Sequence, residues 1–140
     1  MSFQISSTPL EKFKLKTKFS SKRIGALVSF EGIVRNHNHG KKVLALEYQA
    51  HQRLCEKEAK KILKEAVQKF DVIEMKCVHR IGKLKIGDMA VWVGVTASHR
   101  DDAFKACRYV IDEIKSRLPI WKKEYYLNGD SGWVNCDCSH

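Results

Sequence analysis

The sequence predicts an α+β domain with a mainly antiparallel sheet and two long helices. Two long segments repeat apolar side chains at helical spacing. Short β-branched and aromatic runs lie around them, bounded by glycine, asparagine and aspartate. These runs neighbour one another across turn signals, which favours hairpin-like pairing over regular βαβ units.

The elements follow in order. Lys12 to Lys22 is lysine-rich but interleaved with Phe13, Leu15 and Phe19, and predicts a short packed helix or loop. Ala26 to Val34 (ALVSFEGIV) reads as a strand by its β-branched and aromatic content. The polar run Arg35 to Lys42 (RNHNHGKK) interrupts it, and Val43 to Tyr48 reads as its hairpin partner. His51 to Phe70 predicts a helix, with Cys55, Ala59, Ile62, Leu63, Ala66, Val67 and Phe70 on one face. Lys57, Lys60, Lys61, Lys64 and Gln68 form its solvated opposite face.

Val72 to Val78 is the next strand region. Gly82 and the pair Gly87–Asp88 bracket a short segment, Lys83 to Ile86. Met89 to Thr96 (MAVWVGVT) is the most hydrophobic run and predicts a central strand. The second helix runs from His99 to Arg117, with Ala103, Phe104, Cys107, Val110, Ile111, Ile114 and Leu118 as its buried stripe. Pro119 stops it. Ile120 to Leu127 resumes as a strand, and Gly129 to Gly132 turns into Trp133–Val134.

A chain of 140 residues has the size of one domain, residues 1–140, and can bury a core without disulfides or a metal. With 26 Lys+Arg against 16 Asp+Glu, the formal charge is +10, a field that attracts nucleic acid, phosphorylated metabolites or an acidic protein. A solvated lysine surface is the plainer reading. The N-terminus has no apolar signal core, and no stretch has the length of a membrane span. The five cysteines, Cys55, Cys77, Cys107, Cys136 and Cys138, are irregularly spaced, which argues for reduced thiols in the cytoplasm.

Three places could carry chemistry. Ser98 and Asp101 have the spacing of a capping box at the start of the second helix. His99 and Arg100 then fall in the first turn, where cations oppose the helix dipole unless an anion binds there; otherwise both reach solvent. Lys115 flanks the buried stripe of the same helix, and Lys122 shares a strand face with Ile120 and Glu124. Two such lysines near an apolar wall could hold an anion or act as acid or nucleophile, or could be ordinary surface residues. Arg35 ends the first strong strand and suits bidentate phosphate recognition, or simply belongs to a solvated hairpin tip. The pairs His37/His39, Cys77/His79 and Cys136/Cys138 lack the spacing of structural zinc sites, so no metal is predicted. No GxGxxG, phosphate-binding P-loop or GxSxG occurs.

The ordered pieces GALVSFEGIVRNHNHG, HRIGKLKIGD, VGVTASHRDDAFKACRYVIDEIK and PIWKKE followed by GWV resemble the large, catalytic subunit of molybdopterin synthase, from Gly25 to Val134. The resemblance implies an α/β hammerhead-type fold and a homodimer at the centre of a heterotetramer. A small ubiquitin-like sulfur carrier would pair with each subunit. Its thiocarboxylated Gly-Gly tail would give sulfur to cyclic pyranopterin monophosphate, and two such transfers would make the molybdopterin dithiolene. The implied enzyme is a sulfurtransferase of molybdenum cofactor biosynthesis that needs no redox cofactor, no nucleic acid and no membrane.

By position, Lys115 and Lys122 match the family's catalytic lysines. Arg35, His99 and Arg100 match its anion- and substrate-binding residues. Ile33 and Val34 lie in the strand lining the same pocket, and Lys123 and Glu124 fall in the matching stretch after the second lysine. The tail after Trp133–Val134 is short, and Tyr48 to Leu54 is only loosely family-like. Two other readings stand beside this one: a basic nucleic-acid-binding module, which answers the same charge, and a non-catalytic scaffold for a ubiquitin-like protein.

Overall fold

The computed structural model describes residues 1–13, 15 and 21–135. The strands are β1 (Ser2–Ser6), β2 (Ala26–Ile33), β3 (His37–Asn38), β4 (Lys41–Lys42), β5 (Ala45–Ala50), β6 (Glu74–Arg80), β7 (Gly82–Lys85), β8 (Met89–Ala97), β9 (Ile120–Tyr126), β10 (Gly129–Asp130) and β11 (Val134–Asn135). The helices are α1 (Gln52–Lys69) and α2 (Arg100–Arg117), with a 3-10 turn at Leu10–Lys12. No described helix is long and apolar enough to cross a membrane.

The most hydrophobic run is the interior strand it was expected to be. All nine residues of β8 are buried, and it pairs antiparallel with β6 on one side and β2 on the other. Val91, Val93 and Val95 are at most 1% exposed, each contributing about 1.5–3 kcal/mol. The strand β1, which the sequence reading assigned to nothing, adds in parallel to β6 and completes the order β1-β6-β8-β2. The helix α2 packs on β8 and β2, while α1 packs on β1 and on α2.

The expected hairpin between β2 and the Val43–Tyr48 segment does not form. That segment contributes to β5, which lies between β9 and β7 in a second antiparallel sheet. The polar run closes on itself instead, as the two-residue pairing of β3 with β4. Its turn places His39 and Gly40 at φ 49° and 77°, the left-handed region that glycine enters without a Cβ clash.

Both helices keep their predicted extent within a residue or two. His51 caps α1, its Nδ1 accepting from the Leu54 amide at 3.3 Å. The capping box at Ser98 is not formed. Helix α2 starts one residue later, with His99 as N-cap, and the Ser98 hydroxyl donates to the Arg23 carbonyl at 3.2 Å. Phe104 and Val67, both expected on the buried stripes, are 62% and 44% exposed. Each stands about 100° around the helix from its buried neighbour, Ala103 and Ala66, beyond the reach of the sheet. The lysine face of α1 is exposed as expected. The Lys12 to Lys22 segment lies largely, and the Cys136/Cys138 tail wholly, outside the described residues.

Candidate functional site

A cleft of about 290 Å³ opens where the two sheets and the end of α2 meet. Its wall begins with the end of β2. The β2–β8 register shifts between Gly32 and Ile33, and such an irregularity bends a strand and re-aims the side chains that follow. Ile33 and Val34 line the cleft, Ile33 about half exposed and Val34 buried. Two backbone bonds hold the bend: Val34 N–H donates to the Asp88 carbonyl at 2.9 Å, and Gly87 N–H donates to the Val34 carbonyl at 2.8 Å.

Three cations from three elements line this cleft: Arg35 after β2, Lys115 from the last turn of α2, and Lys122 from β9. Opposite Lys122 in the register sits Tyr48, and opposite Glu124 sits Leu46, both buried on β5. The lysines therefore stand against an apolar wall.

Arg35 is aimed by a relay. Its Nη2 donates to Asn38 Oδ1 at 3.2 Å. The Asn38 amide in turn donates to both carboxylate oxygens of Glu124, at 3.1 and 3.0 Å. The Tyr126 hydroxyl donates to Glu124 Oε1 at 3.0 Å, and Glu124 N–H donates to Ser131 Oγ at 2.8 Å. Glu124 is 7% exposed, so a carboxylate held by two donors, the Asn38 amide and the Tyr126 hydroxyl, is what burial demands. It works here as an anchor for Asn38. Asn38 is the site residue that the sequence reading passed over. Its signal was present only as one more polar residue in RNHNHGKK.

The last turn of α2, which carries Lys115, is pinned to α1. Arg117 donates to Glu58 and Glu65 at 2.7 Å each and to Glu113 at 3.1 Å. These bonds hold the Glu58 carboxyl below the usual carboxylate range and bring Glu65 down to about 2.

Three expected site residues lie elsewhere. Lys123 projects from the opposite face of β9, where its Nζ stands 4.7 Å from the Trp133 ring and 5.9 Å from the Tyr125 ring. Successive strand residues face opposite ways, so Lys122 and Lys123 cannot share the cleft. His99 and Arg100 are exposed at the N-terminus of α2. Fifteen helical positions separate Arg100 from Lys115, about 22 Å at 1.5 Å per residue.

The described cysteines play no part in the cleft lining. Cys55, Cys77 and Cys107 are buried free thiols. Burial pushes Cys55 and Cys107 up to about 11 and raises Cys77 as well. Thiols held protonated in this way are poor sulfur nucleophiles.

A cleft with a cationic rim, an apolar wall and fixed ammonium groups can bind a phosphorylated ring and stabilise developing negative oxygen. The sequence model described as "MoaE protein" matches residues 5–117. The molybdopterin synthase catalytic subunit of Synechococcus elongatus is 49% identical over 83% of this chain and 72% of its own length. That of Thermoplasma volcanium is 41% identical over 78% of this chain and 80% of its own. The crystal structure of molybdopterin synthase from Staphylococcus aureus superposes with a TM-score of 0.87 at 38% identity, covering 94% of this chain and 96% of that one.

Proposed function

This chain belongs to the MoaE protein family, and from that premise we propose that it is the catalytic subunit of a molybdopterin synthase. It transfers sulfur from the thiocarboxylated C-terminus of a small ubiquitin-like carrier to cyclic pyranopterin monophosphate. The observation that carries this reading is the convergence of Arg35, Lys115 and Lys122, from three separate elements, on one cleft.

The chemistry balances without a redox partner. The carrier's thiocarboxylate sulfur attacks an electrophilic, oxygen-bearing carbon of the pterin: the carbon–sulfur bond forms as a carbon–oxygen bond at that carbon breaks, the oxygen leaving as water or with the opened phosphate, and a carrier–substrate thioester results. Water then attacks the thioester carbonyl. The acyl–sulfur bond breaks, the tail leaves as a carboxylate, and sulfur stays on the pterin. Negative charge builds on the carbonyl oxygen in the second step, where a fixed ammonium stabilises it. We assign Lys115 to the carrier's terminal carbonyl and Lys122 to the pterin. Arg35, aimed by Asn38, takes the phosphate as a planar fork. Ile33 and Val34 supply the wall beside it.

The assembly is a homodimer at the centre of a heterotetramer, with residues 1–140 acting as a single domain. In its support, one core cluster draws on both sheets and both helices. His99 and Arg100 lie too far from Lys115 within one chain to touch the same small substrate. They serve this cleft when the second copy of the homodimer supplies them. The cytoplasmic setting is supported by the free thiols Cys55, Cys77 and Cys107, which suit a reducing compartment.

Reconstitution tests the reading. The purified protein, a thiocarboxylated ubiquitin-like carrier and cyclic pyranopterin monophosphate should yield molybdopterin. Tight carrier binding without product would favour the non-catalytic scaffold. Salt-sensitive RNA binding with no carrier binding would favour the nucleic-acid module.

A further inference from the structure

Lys115 also borders a much smaller cavity of about 10 Å³, roughly the room for one water. Val91, Ile111, Ile114 and Ile120 make its walls, and its only polar linings are His79 and Lys115. Lys115 borders both spaces. His79, from β6, is 3% exposed, and its ring meets the edge of Tyr48 at 5.2 Å, across the junction of the two sheets.

The tautomer of this histidine follows from its bond to the backbone. Its Nδ1 stands 2.8 Å from the Arg80 carbonyl oxygen. A carbonyl can only accept, so Nδ1 carries the proton. Burial pulls the imidazole down to about 4; the backbone bond opposes this, and the nearby Lys115 charge adds to it. The ring is therefore neutral at physiological pH, and Nε2 is unprotonated and can accept. A buried acceptor beside an ammonium is a natural pair: the lysine has three donors, so one given inward leaves two for the cleft.

We propose that His79 is a positioning residue for Lys115: its unprotonated Nε2 accepts a hydrogen bond from the Lys115 ammonium, directly or through one water in the cavity between them. The role given to Lys115 rests on the proposed function; the contact itself does not. A lysine has four rotatable side-chain bonds, and an unanchored one spreads its charge over many positions. An anchor at the base of the cleft fixes the ammonium before substrate arrives, which is what stabilising a transient oxyanion requires. His79 belongs to the HRIG stretch, so this role also gives that motif a physical reason.

The test is imidazole 15N NMR on the intact protein, wild type and Lys115→Met. In the wild type, His79 Nε2 resonates as an unprotonated, hydrogen-bonded nitrogen. In Lys115→Met it moves toward the position of a free imidazole nitrogen, while Nδ1 stays in place. An Nε2 resonance identical in both proteins overturns the proposal. Turnover supplies the second arm. His79→Leu lowers kcat roughly ten- to a hundredfold with KM nearly unchanged, as expected for a misplaced catalytic group, and His79→Gln, which restores an acceptor, recovers part of the loss. A folded His79→Leu variant with wild-type kcat counts against the proposal; if that variant does not fold, the NMR comparison decides. A Lys115-dependent Nε2 shift in a protein that makes no molybdopterin would leave the contact standing and remove the proposed function.

Discussion

Asn38 and Glu124 lie 86 positions apart, yet the Asn38 amide reaches both oxygens of the Glu124 carboxylate. This contact joins the β3–β4 hairpin to β9 and fixes the Asn38 oxygen that receives Arg35. Asn38→Ala should leave a buried carboxylate short of donors, costing about 1–3 kcal/mol in urea unfolding. It should also reduce turnover, because Arg35 loses its guide. Asn38→Asp should cost more, since it sets two carboxylates against each other in a buried place. Wild-type stability in both variants would show that the relay is not what holds this corner.

The two faces of β9 separate neighbouring lysines. Lys122→Ala should lower turnover by about 10²–10³, the scale of losing one fixed donor to a developing charge. Lys123→Ala should leave turnover within about twofold, because a group on the far side of the strand makes no contact in the cleft. Steady-state kinetics of the pair checks this directly. A large loss in Lys123→Ala would mean that the outer face also meets substrate or carrier.

Acid should weaken the clamp between the helices. The Arg117 bonds hold Glu65 at about 2, below its ordinary value of 4.5. A group with a depressed folded pKa stabilises the protein above its unfolded pKa. That contribution is fully present above about pH 4.5 and is lost as pH falls toward 2. Arg117→Met should remove the larger share of this pH dependence, the Tyr109 hydroxyl bond to Glu65 keeping the rest, read as a flatter curve of melting temperature between those limits. An unchanged curve would place the acid sensitivity elsewhere.

Much of the architecture is legible in the sequence because its signals are local. The stripe Cys55, Ala59, Ile62, Ala66 and the run Met89 to Thr96 each carry their own period, and both became the expected elements. Strand partners are not local. Nothing in Val43–Tyr48 tells that it pairs with β9 rather than β2, since either edge would accept its alternation. The strand β1 is too short for a period to emerge, and it is fixed only by the waiting edge of β6. The same limit governs the site. Lys115, Lys122 and Arg35 were legible through the motifs around them, whereas Asn38 acquires its role only when the chain brings Glu124 to it.

Inside the sheet, Gly94 makes room for a ring. A Cβ at this position would collide with the six-membered ring of Trp92, two residues back on the same face of β8. Gly94→Ala should therefore force the indole aside and cost about 1–3 kcal/mol, the scale of overpacking a tight core. Thermal unfolding and Trp fluorescence would report it together. An unperturbed variant would show that the ring has another place to go.

In the proposed mechanism Lys115 and Lys122, two ammonium groups in one cleft, divide the sulfur transfer between them. The most direct measurement is a single turnover of the thiocarboxylated carrier with pterin substrate on Lys115→Ala and Lys122→Ala, following the carrier by intact mass. With Lys115 removed, the predicted result is a carrier held as the covalent thioester adduct or released slowly as carboxylate. With Lys122 removed, the thiocarboxylate should remain unspent. Wild-type rates of carrier consumption and dithiolene formation in both variants would contradict the account.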